Sequence, residues 1–365
     1  MTAEIRTFTV SPEDDGIRLD RWFRRNLPAA SFGQVSRWAR TGQLRVDGKR
    51  ATPGERIETG QVIRVPPLDE TAAPVRPQRV RETLSEDEIE FVRSLVIHED
   101  PAAIVVNKPP GLATQGGTKT KDHVDRLLDG LADEGGPRPK LVHRLDKDTS
   151  GVLLLARTPR AAAAFSKSFS GRSARKVYWA IVTGVPSVGD GLIDLPLAKQ
   201  PGSGGEKMHV DEGETGQLAR TRYRVIERAG NRAAWVELQP LTGRTHQLRV
   251  HMLAIGHPIL GDGKYGGQDA FLTGAISRKL HLHARRLRIG HPDGDGQKID
   301  VTAELPDHFT ATLASLGFDP ALGDALPLDE VKFGETAEGK RKAVSAAAKA
   351  RRKERRGERR SRGKK

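Results

Sequence analysis

Apolar positions follow two different rhythms along this 365-residue chain. Near the N-terminus the rhythm is helical. In residues 17–27 (IRLDRWFRRNL), Leu19, Trp22, Phe23 and Leu27 recur three or four apart, which predicts an amphipathic helix with Arg18, Arg21 and Arg25 off the apolar face. Ser31 with Gln34 three positions later forms a capping-box pattern. It opens a second helix with Val35, Trp38 and Ala39 inward, Arg37 and Arg40 outward, and Gly42 as the stop. Asp47-Gly48 within LRVDGKR is a hairpin signal, and VIRV is a further short strand ending at Pro66. Residues 66–90 carry Pro66, Pro67, Pro74 and Pro77 among charged residues and few apolar ones, the composition of a linker.

From Leu95 onward strand-like runs dominate: LVIHED and AIVVNKP around an Asp100-Pro101 turn, then VLLLAR, KVYWAIV, RTRYRVIE, AAWVELQ, LHLHARRLRI and KIDVTAEL. Helices are predicted at 122–133, 159–170 and 245–255, with Pro159 suited to a first helical position. Many strands with few helices between them predict an α+β domain on a mixed, mostly antiparallel sheet. Residues 199–216 read as a mobile Gly-rich loop. The organisation expected is an N-terminal extension (1–16), a small domain (17–65), the linker, a large domain (91–315) and a tail (337–365). No internal repeat is visible.

Charge sharpens that division. Residues 340–365 hold 14 Lys+Arg against 2 Glu, and residues 18–50 hold nine basic residues against two acidic ones, whereas residues 81–339 are near neutral with 33 against 35. Basic ends of this kind predict phosphate contacts with nucleic acid. The tail is too poor in apolar residues to fold alone. With no cysteine the chain has no disulfide and no Cys-based zinc site, which fits a reducing compartment. No signal-peptide pattern opens it and no apolar run approaches the ~20 residues of a membrane span. A cytoplasmic, soluble protein is the expectation.

The candidate chemistry lies in residues 143–151, HRLDKDTSG. It sets the carboxylate of Asp146 between Arg144 and Lys147, just before a small-residue turn and an apolar strand. Two flanking cations favour a carboxylate's charged form. Taken alone, Asp-Thr-Ser-Gly is ordinary turn chemistry. The run resembles the active-site loop HRLD-x-x-TSG of the RluA family of pseudouridine synthases, with all seven fixed positions present. The segment AIVVNKPPGLATQGG is similar to the family's RluC-type branch, which acts on large-subunit rRNA.

The resemblance implies a role for each matched residue. Asp146 matches the catalytic carboxylate, acting on a flipped-out uridine. Arg144 matches an arginine that contacts RNA and fills the space of the flipped base. Tyr178, in RKVYWAIVTG, matches an active-site tyrosine that stacks on the base; by pattern alone it is a strand-core aromatic. Arg249, in LTGRTHQLRVHM, matches the basic partner of the catalytic Asp, holding it through a charge-assisted, bidentate bond. Asn107-Lys108-Pro109 and Gly261-Asp262…Tyr265-Gly266 match supporting segments. No metal or redox cofactor is implied.

The helix–helix–hairpin order of residues 17–65 resembles the S-four-type RNA-binding domain, which implies RNA contacts for Arg18, Arg21, Arg25, Arg37, Arg40, Lys49 and Arg50. The partner implied is RNA, 23S rRNA or a large-subunit precursor, with no membrane. The alternatives are a tRNA substrate, a non-catalytic ribosome-assembly factor, and a hydrolase of N-glycosidic bonds. The hydrolase would need a second carboxylate, for which Asp148 stands in a variable position of the motif. His246 and His251, five apart, and His281 and His283, alternating on a strand, lack metal-ligand spacing, so no metal site is expected.

Overall fold

The structure, a computed structural model, describes residues 6–67, 83–116, 122–200, 207–274, 276–294 and 296–324. The chain forms two compact units, residues 1–83 and 84–365. The tail expected at 337–365 lies outside the described residues, as do most of the expected linker and the centre of the Gly-rich loop.

In the first unit, β1 (Arg6–Thr9), β2 (Arg45–Val46), β3 (Lys49–Arg50) and β4 (Val62–Val65) make an antiparallel sheet ordered β1-β4-β2-β3. Helices α1 (Leu19–Asn26) and α2 (Phe32–Arg40) accompany it. The helical rhythm does what it predicts: Leu19, Trp22, Phe23, Val35 and Trp38 are buried together with Leu44, Ile57, Ile63 and Val65. Ser31 and Gln34 form both halves of the capping box. Asp47 and Gly48 both take positive φ, the backbone that a two-residue hairpin turn requires. The extension expected over 1–16 is not separate from this unit, because β1 pairs along its whole length with β4.

The second unit is built on a ten-stranded sheet. Its strands are β5 (Val96–Glu99), β6 (Ala103–Lys108), β7 (Lys140–Leu141), β8 (Ser150–Ala156), β9 (Arg175–Thr183), β10 (Asp190–Asp194), β13 (Arg220–Ala229), β14 (Ala233–Pro240), β15 (Leu282–Gly290) and β16 (Lys298–Thr302). The order is β10-β13-β14-β9-β15-β8-β6-β5, with β16 beside β15 and β7 beside β8. Only the β15–β8 pairing is parallel. This is the α+β architecture on a mixed, mostly antiparallel sheet that the strand-rich pattern predicts. A hairpin of β11 (Leu197–Lys199) and β12 (Met208–Val210) stands apart from the sheet. It corrects the expectation of a loop from 199 to 216.

Six helices complete this unit: α3 (Glu86–Ser94), α4 (Val124–Leu127), α5 (Pro159–Ser170), α6 (Gln247–Ala254), α7 (Asp307–Leu316) and α8 (Pro320–Asp324). Two boundaries differ from the sequence reading. α3 begins inside the expected linker, opened by a complete Ser85–Glu88 capping box and anchored by buried Val92. α7 and α8 extend beyond residue 315, and Phe309 and Leu313 pack on Trp179 and Trp235.

Every residue of β8 is buried, which is why SGVLLLA reads as a continuous apolar run. Gly151 has φ +107°, and a Cβ there would lie 2.2 Å from the Ala284 carbonyl oxygen. Only glycine lets β8 start this close to β15. The loop that carries Asp146 therefore ends on a fixed point at the middle of the sheet.

Candidate active site

Asp146 lies in the connection from β7 to β8, at a cleft of about 670 Å³. Two side chains and one amide from the end of β6 and the segment after it hold the backbone on either side of it. Before it, Thr114 Oγ1 accepts from Leu145 N (3.1 Å) and donates to Leu145 O (2.7 Å). After it, the Lys147 carbonyl accepts from Lys108 Nζ (3.0 Å) and from Gly111 N (2.9 Å). The Leu145 side chain is buried in the core formed by Val92, Leu128 and Leu153. The carboxylate itself remains partly open, with 22 % of its side chain exposed.

Lys108 is fully buried, and its Nζ also donates to Pro109 O (2.9 Å) and Leu112 O (2.7 Å). Burial pulls its pKa down to about 7, with Asp148 and Asp146 opposing. Its three carbonyl acceptors match the three donors of an ammonium group, which favours the charged form.

The facing side of the cleft comes from the segment entering α6 and the loop after it. Arg249 lies 3.9 Å from Asp146 Oδ2 through Nη1. Its bidentate partner is Asp262 instead: Nε to Oδ2 at 2.8 Å and Nη2 to Oδ1 at 2.7 Å. This corrects the expected bidentate bond to Asp146. Asp262 is 1 % exposed, so it pins the guanidinium while leaving Nη1 toward the loop that carries Asp146. Burial alone would lower the Arg249 pKa, but Asp262 and then Asp146 outweigh it and raise it.

His246 also meets Asp146, with Nε2 3.8 Å from Oδ2. Its Nδ1 is bonded to the Tyr265 hydroxyl at 2.6 Å. Neither His246 nor Asp262 is singled out as a site residue by sequence reasoning; the GD-x-x-YG segment is the signal that contains Asp262 and Tyr265.

The remaining expected residues divide. Arg144 is exposed at the cleft and donates to Thr245 Oγ1 (2.9 Å). Tyr178, on β9, is half-buried and packs against the two cores that flank the central strands. Its ring is thus more enclosed than an open stacking platform. Burial raises its phenol pKa, and the charge of Asp146 adds to the shift. His143 is held in place by accepting from Leu154 N (2.8 Å) and stacking on Phe169, and burial lowers its pKa to about 3.

In the first unit, Arg21, Arg37, Arg40, Lys49 and Arg50 are exposed. Arg18 and Arg25 are drawn into that unit's own ion pairs, with Asp20 and with Glu13 and Asp14 respectively. Although residues 81–339 are near neutral in sum, Lys147, Lys264, Arg278 and Lys279 join Arg144 and Arg249 around the cleft.

Three further histidines serve structure. His251 bonds Thr221 and Leu195, His281 bonds Thr312 and Leu260, and His283 bonds Ser150 and Ala303, all three fully buried. Among the described residues, no group of three or more His, Asp or Glu is placed to hold a metal ion. Nor is any helix there long and apolar enough to cross a membrane.

Comparison with known proteins follows the same ground. The family model "RNA pseudouridylate synthase" matches residues 102–254. The chain is 32 % identical to "Ribosomal large subunit pseudouridine synthase C" of Haemophilus ducreyi, over 87 % of this chain and 97 % of that protein. It is 34 % identical to the protein of the same name from Rickettsia conorii, over 81 % and 96 %. Among solved structures, "Human RNA Pseudouridylate Synthase Domain Containing 4" is similar with a TM-score of 0.54 and 29 % identity, covering 63 % of this chain and 97 % of that one.

Proposed function

The chain belongs to the RluA family of RNA pseudouridine synthases, of the RluC type, and from that premise we propose that it isomerises uridines of large-subunit (23S) rRNA, with Asp146 as the catalytic carboxylate. The observation that carries this assignment is one partly open carboxylate at a cation-lined cleft, fixed in its backbone and faced by a pinned arginine.

The reaction is an isomerisation. The N1–C1′ bond breaks, the uracil turns, the C5–C1′ bond forms, and C5 gives up a proton while N1 gains one. The base must first leave its stack, and the cleft volume suits one nucleotide. A single carboxylate then acts at the ribose, as nucleophile or as base. Arg249 supplies positive charge beside it, and Arg144 at the mouth contacts RNA and fills the space that the base leaves. Tyr178, near enough for the charge of Asp146 to act on its phenol, lies against the base. The first unit acts as an S-four-type RNA-binding domain through Arg21, Arg37, Arg40, Lys49 and Arg50. The enzyme works in the cytoplasm, where its rRNA substrate is.

Asp146→Asn tests the reading. The variant is expected to bind rRNA within a few-fold of wild type and to form no pseudouridine. The measurement is a pseudouridine map of RNA from cells lacking the chain, rescued with wild type or the variant. Full modification by Asp146→Asn removes the assignment. Sites that map to tRNA move the substrate from rRNA to tRNA.

A further inference from the structure

His246 is the residue whose conformation the fold explains least without a task. It has φ 51° and ψ 21°, the left-handed region, and is one of three non-glycine residues with positive φ among those described. Left-handed backbone at a non-glycine residue costs of order 1–3 kcal/mol and persists where the surroundings impose it. Its carbonyl accepts from Val250 N at 3.0 Å, but its side chain caps nothing in α6. The ring turns to the cleft, which it lines, while Nδ1 stays bonded to Tyr265.

That bond suits one tautomer of the ring. The Tyr265 hydroxyl oxygen accepts from Met208 N at 3.0 Å. With one lone pair so used, its own proton is assigned to the hydrogen bond with His246 Nδ1, 2.6 Å away. A ring accepting at Nδ1 carries its hydrogen on Nε2. Nε2 faces the space beside Asp146, at 3.8 Å, too far for a direct hydrogen bond and close enough for both groups to reach one bound nucleotide.

We propose that His246 is a further catalytic residue of this site: its Nε2–H, fixed by Tyr265 and aimed by the left-handed backbone, donates a hydrogen bond to the target uracil while the base is detached from its ribose. A detached uracil carries negative charge on its ring oxygens and N1, and a preorganised donor aimed at that charge lowers the barrier. The proposal rests on the reading of the site as a pseudouridine synthase. The neutral ring is favoured by its setting. Burial lowers its pKa from the ordinary value, Asp146 and Asp262 oppose, and Arg249 and Lys264 reinforce. Tyr265 completes the set of titratable groups facing it. Protonation would place a hydrogen on Nδ1 against the Tyr265 O–H and release the ring.

Three variants of the full-length chain, assayed on rRNA, test this. His246→Gly removes the ring and suits the backbone. It is expected to stay folded, by an unchanged circular dichroism spectrum, and to lose about 100-fold or more in kcat, the cost of a removed transition-state donor. His246→Gln places an amide N–H near the position of Nε2, and His246→Asn near that of Nδ1. Gln is expected to recover more kcat than Asn, with KM little changed. Wild-type kcat is expected to fall on the acid side as the ring protonates, and that limb should vanish in His246→Gln, which has no titrating ring. A glycine variant with wild-type kcat overturns the proposal, as does an acid limb unchanged in the glutamine variant. A wild-type chain that forms no pseudouridine in any RNA overturns the family reading first, so the two failures are distinct.

Discussion

On one side of the cleft, Asp146 hangs from main-chain groups: Thr114 grips both polar atoms of Leu145, and Lys108 with Gly111 grips the carbonyl of Lys147. On the other side, Arg249 and His246 are held by side chains alone, Asp262 and Tyr265. The first side fixes where the carboxylate is. The second fixes which charges and donors it meets. The difference teaches that position and chemistry are controlled by separable sets of residues, so they should fail separately.

Acid should break both sides together, and is the largest effect expected. Burial lowers the pKa of His251 and His281 to about 4 and of His283 to about 3. Folded values below the ordinary 6.5 mean that the unfolded chain binds more protons between 6.5 and 4, so stability falls as pH falls through that window. Each such histidine contributes up to about 1.4 kcal/mol per pH unit there. Since His283 ties Ser150 at the end of the Asp146 loop and His251 lies within α6, the denaturation midpoint should fall steeply below pH 6. A midpoint that stays flat from pH 7 to 4.5 would show that these rings do not control acid stability.

The second side alone should yield to Arg249→Met. It leaves the Asp262 carboxylate buried without its partner, a cost of about 3–5 kcal/mol by denaturant unfolding. Adding Asp262→Leu should restore much of the stability and none of the activity. Recovery of turnover in the double variant would mean that the charge beside Asp146 is dispensable.

The first side alone should yield to Lys108→Met, which takes the ammonium donor from the Pro109 and Leu112 carbonyls and leaves the Lys147 carbonyl to Gly111 N alone, and should cost about 2–4 kcal/mol. Here kcat should fall while Kd for RNA holds, because what moves is the loop. The smallest effect is expected from Thr114→Val, about 1–2 kcal/mol, with a matching small loss of kcat. If Thr114→Val weakens RNA binding more than turnover, the division between position and chemistry is wrong.

How much of this was legible in the sequence depends on how local each feature is. Asp146 stands in a contiguous motif, and the α1 and α2 faces repeat within a few residues, so both were readable. α3 carried its own mark, Ser85 and Glu88 at capping-box spacing, inside a stretch whose prolines suggested a linker. β1 becomes a strand only through β4, some fifty residues away, and RTFT shows too little pattern to reveal it. Arg249 stands within a readable motif, but its bidentate partner is decided by where the loop after α6 folds back. In the sequence His246 offers only its spacing to His251, because neither a left-handed backbone nor a bond to Tyr265 can be read from a line of letters. The even charge balance of residues 81–339 concealed a local excess: six cations line the cleft against the carboxylates of Asp146 and Asp148.

Lys147 and Asp148 line the mouth with exposed side chains, while the Lys147 carbonyl alone is what the scaffold grips. Evolution or a designer can therefore exchange the Lys147 side chain without moving Asp146, whereas the charge of Asp148 helps to keep Lys108 charged. The rim beside Asp146 can drift at position 147, so under the proposed function a change of preferred RNA target can begin one residue away from that carboxylate.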